Sequence, residues 1–324
     1  MVKLVIQIPC YNEEKTLPSV LADLPKKIEG IKEIEVQIID DGCTDKTVEV
    51  ARKHGCHIVS YVGNKGLGVA FKTGMEEALH RGADILVNTD GDHQYPGKYI
   101  AELVQPILRG KADMVIGDRQ TSKISHFSPI KKFFQWLGSS LTRFLSGTRV
   151  NDSVSGFRAY SKEAMLQLNV VSTFSYVLDT IVQAGKKGLK VTNITITTNK
   201  PTRSSRLFKN IFQHMKKSGS NLVRVFVMYE PFKFFAYVSG FFIVCGLIPL
   251  LRYLWFLFQG SGDGHIQSLL AGSVLLLSGV TLFGVGVLAD LNAINRKLIE
   301  ESLYMQKKGM YGGNEKLKGR KYER

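Results

Sequence analysis

Two stretches near the C-terminal end constrain this chain more than anything else in it. Residues 234–258 read FFAYVSGFFIVCGLIPLLRYLWFLF, with Arg252 as their single charge, and residues 266–289 carry no charge. Each exceeds the roughly 20 residues that cross about 30 Å of hydrocarbon. Between them lies QGSGDGH, residues 259–265, with room for a turn and little more. A hairpin of two membrane spans is the economical reading. The competing one is a pair of buried helices in a soluble core, and such helices rarely run this long without charge. Arg252 stands near the far end of its span, where the guanidinium can snorkel to headgroups. Pro249 can kink the first span without disqualifying it.

Charge placement orients the hairpin. The 324 residues hold 43 Lys+Arg and 28 Asp+Glu, a net charge of +15. Residues 182–233 contain eleven Lys/Arg against one acid, Glu230, and so supply ten of those fifteen charges. Arg296, Lys297, Lys307 and Lys308 follow the second span, and the connecting loop has neither Lys nor Arg. The positive-inside rule then puts both termini in the cytoplasm. The basic excess faces anionic headgroups or an anionic membrane substrate. Nucleic acid is the weaker reading, because the charge sits beside the spans and no nucleic-acid motif accompanies it. Residues 206–229 mix Phe, Leu, Ile and Val with Lys and Arg and read as interfacial amphipathic helices, with an ordinary surface helix as the alternative. The tail beyond Gly309 is polar, basic and expected to be disordered.

The first 200 residues read differently. Apolar residues make up 44% of the chain and charged ones 22%, an ordinary folded composition. Runs 4–9, 36–40, 57–61, 85–90 and 114–118 are β-rich and end in polar or turn residues. Helical patterns separate them over 16–29, 44–54, 68–81 and 97–109. That alternation predicts a mostly parallel, helix-covered α/β sheet. Ligands of such sheets bind beyond the carboxyl ends of the strands. Cys10, Cys43, Cys56 and Cys245 form no C-x-x-C pair, which predicts reduced thiols. The N-terminal apolar run, cut by Pro9 and Glu13-Glu14, is too short for a signal peptide.

Three acidic clusters close strands. Asp90-Gly91-Asp92 ends ILVNTD, and two carboxylates two residues apart can turn toward one divalent cation. Mg²⁺ and Mn²⁺ suit oxygen ligands and bridge diphosphates. Gln94 can add an oxygen; His93 reads as an outward loop residue. Asp40-Asp41 closes VQIID, where a base or ribose can be bound or a helix start capped. Pro9-Cys10-Tyr11-Asn12-Glu13-Glu14 closes the first strand. Tyr11 there can stack on a base and Glu13 accept from it, or the segment is a plain turn capped by Asn12.

IPCYNEEKTL (8–17), IIDDGCTDKT (38–47), NKGLGVAFKTG (64–74), NTDGDHQYPG (88–97), IGDR (116–119), DSVSGFRAYS (152–161) and TRSSRLFK (202–209) follow one another in this order. Together they resemble the family 2 glycosyltransferases, and within them the dolichol-phosphate-mannose-synthase-like branch that acts on polyprenyl phosphates. The resemblance spans about residues 4–215, and the two apolar stretches are similar to the membrane hairpin of some bacterial members. It implies a GT-A-type nucleotide-sugar-binding domain with a mostly parallel sheet, followed by interfacial helices and two transmembrane helices. The corresponding boundaries are 1–203, 204–231, 232–290 and a basic tail, 291–324. Pro9, Tyr11, Glu13 and Asp41 would surround base and ribose, with Asp90 nearer the sugar or ribose. Asp92 and Gln94 would hold Mg²⁺ or Mn²⁺. Arg119 and Lys131 or Lys132 would face the lipid phosphate. Asp152, Ser155 and Arg158 would shape the sugar and acceptor side, and Arg203 and Arg206 would hold phosphates. Many relatives carry Pro where Gly97 stands and Glu where Asp179 stands, and some carry Arg where Lys131 stands.

The activity so implied is transfer of a sugar from a nucleotide-sugar to a polyprenyl phosphate, with inversion. UDP-glucose or UDP-GlcNAc is the first expectation for the donor, and GDP-mannose the next. A polyprenyl tail does not leave the bilayer, at about 0.8 kcal/mol per CH₂. A processive polysaccharide synthase is disfavoured by two spans and no Q-x-x-R-W. A glycolipid synthase with a hydroxyl acceptor needs a base, for which Asp152 is available, and a membrane-tethered binder without catalysis is the remaining alternative. Gly272, Gly279, Gly284 and Gly286 permit close helix packing within the hairpin or between protomers, which leaves a homo-oligomer open.

Overall fold

The computed structural model describes residues 2–120, 138–140, 142–171, 176–199, 219–220 and 223–312. Contacts divide the chain into two units, residues 1–215 with 300–324, and residues 216–299.

Among the described residues the first unit has seven strands: β1 (Lys3–Cys10), β2 (Glu33–Asp40), β3 (His57–Ser60), β4 (Ile85–Asn88), β5 (Met114–Asp118), β6 (Arg158–Ser161) and β7 (Val191–Thr195). Their order in the sheet is β3-β2-β1-β4-β6-β5-β7. All pairings are parallel except those of β6, which runs against β4 and β5. The expected parallel α/β sheet is present. β6 and β7, which are not among the expected strands, are four and five residues long, too short for a clear period-2 pattern.

Side chains alternate between two cores, as the pleat requires. Val5 and Leu86 point to one face, beneath α3 (Leu67–His80), α5 (Lys162–Gln167) and α6 (Val177–Lys186). Leu4, Ile6, Ile85 and Val87 point to the other, beneath α4 (Tyr99–Leu108). The helices α1 (Leu17–Asp23) and α2 (Thr47–Lys53) are shorter than the patterns that announced them. Pro18 opens α1 at a position where its missing N–H costs nothing.

The chain leaves β1 for β2 and β3 on one side, then returns to β4 on the other. The ends of β1 and β4 therefore flank the point where strand order reverses, which is where open α/β sheets bind ligands. β6 starts at the same edge, with Arg158 opposite Asn88, so residues 152–157 also arrive there.

The second unit contains α7 (Pro231–Phe258) and the first part of α8 (Ile266–Tyr311), joined by a short 3₁₀ turn, Gly262–His265. Both helices are long and apolar enough to cross a membrane, and only 11% of each apolar window is buried. A soluble core would bury such windows, so the exposed apolar surface calls for lipid. Pro249 lies inside α7 without ending it. Three of the four glycines named above pack within the hairpin. A Cβ at Gly272, Gly279 or Gly286 would stand within 3.0 Å of α7 atoms, whereas one at Gly284 would meet nothing. The Ser239 hydroxyl donates to the Gly279 carbonyl at 2.8 Å.

The helix α8 does not stop at residue 289. Its last turns belong to the first unit. There Glu300 pairs with Lys187 at 3.0 Å, Tyr304 donates to Glu163 at 2.9 Å, and Lys307 donates to the Asn169 side chain at 2.9 Å and the Leu168 carbonyl at 3.2 Å. The interfacial helices expected over 204–231 fall largely outside the described residues; 223–229 are helical.

Candidate active site

Three strand ends are tied together before any substrate arrives. The Asp41 main-chain N–H donates to Cys10 O at 3.0 Å, joining β2 to β1, and Thr89 N–H donates to Gln7 O at 3.1 Å, joining β4 to β1. The Thr16 hydroxyl donates to Gly91 O at 2.7 Å and so links the turn after β1 to the Asp90-Gly91-Asp92 turn. Glu13 is buried there, its N–H donating to the Thr47 hydroxyl at 2.7 Å. Pro9 lies in β1 beside Ile39 of β2, and Tyr11 is exposed at the rim. Asn12, at φ +57°, accepts from Thr44 N–H at 2.8 Å. Expected nucleotide-side residues from β1, β2 and β4 thus converge on one edge.

The acids at that edge differ in their surroundings. Asp41 is buried, and its carboxylate accepts from Tyr61 Oη and Lys65 N, both at 2.8 Å, and from Gly66 N at 3.1 Å. Gly66 has φ +93° and precedes α3, so Asp41 holds the loop that launches that helix. Asp90 is half-buried, and burial followed by the neighbouring Asp92 charge pushes its carboxyl up to about 7. Asp92 accepts from Gln94 N at 3.1 Å and Gln94 Nε2 at 2.8 Å.

That arrangement fits a divalent cation. Turning the Gln94 amide over would place its oxygen 2.8 Å from an Asp92 oxygen, close to the edge of an octahedron with metal–oxygen bonds of about 2.1 Å. A cation would also reverse the repulsion felt by Asp90. Among the described residues no cluster of three or more His, Cys, Asp and Glu forms; diphosphate oxygens and water would complete the shell. His93 points away, its Nε2 3.7 Å from Asp23.

On the β5–β6 side, Arg119 forms a two-pronged ion pair with Asp152, Nε to Oδ2 at 2.7 Å and Nη2 to Oδ1 at 3.0 Å. Asp152 is 1% exposed and also accepts from Val154 N at 3.2 Å. The two residues expected to face an acceptor phosphate and to act as a base therefore engage each other. Ser155 is fully buried, with its hydroxyl beside that of Tyr95. Arg158 lies in the core, not at the acceptor. It is 0% exposed, and its guanidinium donates to the carbonyls of Ser155, Val177 and Ser153 and to Thr180 Oγ1. A side chain buried with its donors so engaged serves the fold. Lys131, Lys132, Arg203 and Arg206 lie outside the described residues.

Gly97 is used by this chain. Its N–H donates to Asp23 at 2.6 Å, and a Cβ there would collide with Asp23 O. Asp179 is buried and accepts from Gln183 Nε2 at 3.1 Å. The thiols are free, and burial pushes Cys43 up to about 12, away from reactivity.

Beneath the edge runs a feature absent from the sequence-based expectation: Gln37, Gln7 and Asn88, all fully buried, linked side chain to side chain across β2, β1 and β4. The signal was present as one amide in each of three apolar runs, VQIID, LVIQIP and ILVN.

Residues 5–168 match the family described as Glycosyl transferase family 2, and the chain belongs to that family; it is a glycosyltransferase. An undecaprenyl-phosphate mannosyltransferase of Micrococcus luteus is 27% identical over 201 residues, 59% of this chain and 81% of that one. A UDP-N-acetylglucosamine–dolichyl-phosphate N-acetylglucosaminyltransferase of Methanococcus voltae is 30% identical over 213 residues, 59% of this chain and 83% of that one. Among solved structures, glucosyl-3-phosphoglycerate synthase of Mycobacterium tuberculosis, in complex with Mn²⁺, UDP and phosphoglyceric acid, superposes with a TM-score of 0.53 at 18% identity, covering 70% of this chain and 78% of that one. The shared fold is GT-A-like.

Proposed function

We propose that this chain is a membrane-bound inverting glycosyltransferase that moves a hexose from a nucleotide-sugar to a polyprenyl phosphate. The observation that carries the reading is the joint presence of the Asp90/Asp92 pair at the switch point and of two helices able to cross a bilayer in one chain. The polyprenyl-phosphate activities of the Micrococcus and Methanococcus relatives, as their names give them, support the acceptor class. A UDP-sugar, UDP-glucose or UDP-GlcNAc, is the donor favoured first, with GDP-mannose next. The catalytic unit and both termini face the cytoplasm, on the charge asymmetry of the flanks.

In the reaction an oxygen of the lipid phosphate attacks the anomeric carbon while the bond from that carbon to the nucleoside diphosphate breaks. The attacking oxygen is already anionic, so the protein's task is alignment and charge compensation rather than proton removal. Mg²⁺ or Mn²⁺ at Asp92 and Gln94 would neutralise charge on the departing diphosphate. Asp90 would orient the sugar or ribose, and Tyr11, Glu13 and Asp41 the nucleoside. Arg203, Arg206, Lys131 and Lys132 would meet the lipid phosphate and screen it from the diphosphate. Asp152, sequestered by Arg119, is poorly placed to deprotonate a hydroxyl, which favours a phosphate acceptor over a glycolipid-type one.

The test is cation-dependent transfer of labelled sugar from a panel of donors into butanol-extractable lipid. An acid-labile lipid product supports the reading. Label that stays in water with every donor would favour a binder, and an acid-stable glycolipid would favour a hydroxyl acceptor. Arg203→Ala is expected to weaken transfer severely.

A further inference from the structure

The buried amides of Gln37, Gln7 and Asn88 take no part in the chemistry above. They occupy facing register positions, Gln37 opposite Gln7 and Gln7 opposite Asn88. The Gly156 carbonyl at one end only accepts, which fixes the Asn88 amide and through it the Gln7 amide, while Gln37 donates both ways. Gln37 Nε2 donates to Gly74 O at 2.6 Å and to Gln7 Oε1 at 3.4 Å, and Gln7 Nε2 donates to Asn88 Oδ1 at 2.8 Å. Asn88 Nδ2 donates to Gly156 O at 3.0 Å and to the Tyr176 hydroxyl at 2.8 Å, and that hydroxyl donates to Gly156 O at 3.1 Å. Tyr176 is itself stacked on Phe71, with ring centroids 3.8 Å apart.

Apolar side chains at these positions would pack under α3 without the cost of desolvating amides. A connected buried network instead fixes geometry, here with the Gln37 oxygen, alone of the three amide oxygens, lacking a hydrogen bond among the described residues. What it fixes here is the Gly156 peptide. A Cβ on Gly156 would stand 3.1 Å from Tyr176 Oη and 3.3 Å from Asp90 Oδ1. Asn88 holds both sides of that contact: its main chain leads two residues on to Asp90, and its side chain pins the peptide against which Asp90 rests.

We propose that Asn88 and Tyr176 are positioning residues for the donor site, with Gln7 and Gln37 locking the Asn88 amide in the orientation that sets Gly156 against Asp90. The proposal rests on the reading of Asp90 as a donor-side group. Asn88→Leu is nearly isosteric, and Tyr176→Phe keeps the stack and removes one oxygen. Transfer kcat is expected to fall about 10–100-fold in the first, as small misplacements do, and by a smaller factor in the second. Asn88→Leu also strands the Gln7 amide and lowers the unfolding midpoint, whereas Tyr176→Phe leaves it close to the parent's. In an Asp90→Asn background neither substitution lowers kcat further, because the group being positioned is gone. Losses that multiply in that background, or kcat unchanged in Tyr176→Phe and Asn88→Leu alone, would overturn the proposal. If Asn88→Leu does not fold, Tyr176→Phe carries the cycle. Calorimetry with UDP or GDP plus Mn²⁺ separates the two readings. A wild-type protein that binds nucleotide and transfers nothing to lipid defeats the proposed function. The same cycle, read as nucleotide affinity, then still decides the role of the amide row.

Discussion

The chain ends β2 with Asp40-Asp41 and β4 with Asp90-Gly91-Asp92. In sequence the two look alike, paired acids after an apolar strand. In the structure they are held in different ways. The Asp41 carboxylate accepts from a hydroxyl and two main-chain N–H groups of residues 61–66. Asp90 is pushed up to about 7 by burial and by its neighbour Asp92. The first acid is held by donors of the fold; in the second pair burial and a like charge push one carboxyl up. Where a carboxyl is perturbed in that way at a strand end, chemistry is the better explanation of its retention.

The sharpest way to break that contrast is Asp92→Ala. Transfer is expected to fall about 10³-fold or more, the scale of losing a charge-stabilising group, while the unfolding midpoint barely moves. Near-normal turnover of the purified variant would show that the β4 acids are a polar turn. The opposite profile is expected of Asp41→Ala. It strands buried N–H groups and should cost about 2–4 kcal/mol of stability, read by denaturant unfolding. Its effect on kcat per folded molecule should be smaller than that of Asp92→Ala. Equal stability losses in the two variants would erase the distinction.

A third experiment follows titration in chelator. The raised Asp90 carboxyl binds its proton more tightly in the folded state than its ordinary value of 3.8 implies. Its contribution to stability is therefore fully present below about pH 4 and is lost as pH rises through about 7. Asp90→Asn cannot ionise. The variant should gain on the parent in unfolding midpoint between pH 5 and about 8, with the difference shrinking toward pH 4. Adding Mn²⁺ should raise the parent's midpoint and not that of Asp92→Ala. A difference independent of pH would mean that Asp90 bears no strain from burial.

Much of this was legible in the residues. The spans were visible because charge is nearly absent over 25 and 24 positions. The parallel sheet was visible because strands buried on both faces read as apolar runs. The D-x-D was visible because two acids closing such a run violate its pattern. Less legible were the features made by distant residues meeting. Arg119 and Asp152 each looked like substrate-facing groups until they paired. Arg158 was expected on the sugar and acceptor side because nothing local says that its guanidinium enters a core. The amides of Gln7, Gln37 and Asn88 gain meaning only from strand register, which sequence spacing does not give. Residues 300–311 fell in the basic tail expected over 291–324, and their docking was not visible because the acceptors of Lys307 and Tyr304 lie some 140 positions away.

That last contact supplies the smallest expected effect and extends the contrast beyond the acids. Lys307 is half-buried, and its ammonium donates to the Leu168 carbonyl and the Asn169 side chain. It is a cation spent on packing, as Asp41 is an acid spent on a loop. Lys307→Met keeps the stem and removes the donors, and should lower stability by about 1 kcal/mol, the net worth of an ordinary hydrogen bond. Lys308→Met, at an exposed neighbour that donates to the Tyr304 hydroxyl at 3.1 Å, should cost less. Neither should change kcat at a temperature where both variants are folded. A large kcat loss in Lys307→Met without a stability loss would mean that the end of α8 communicates with the strand-end cluster. The division between charges that build the fold and acids that react would then have to be redrawn.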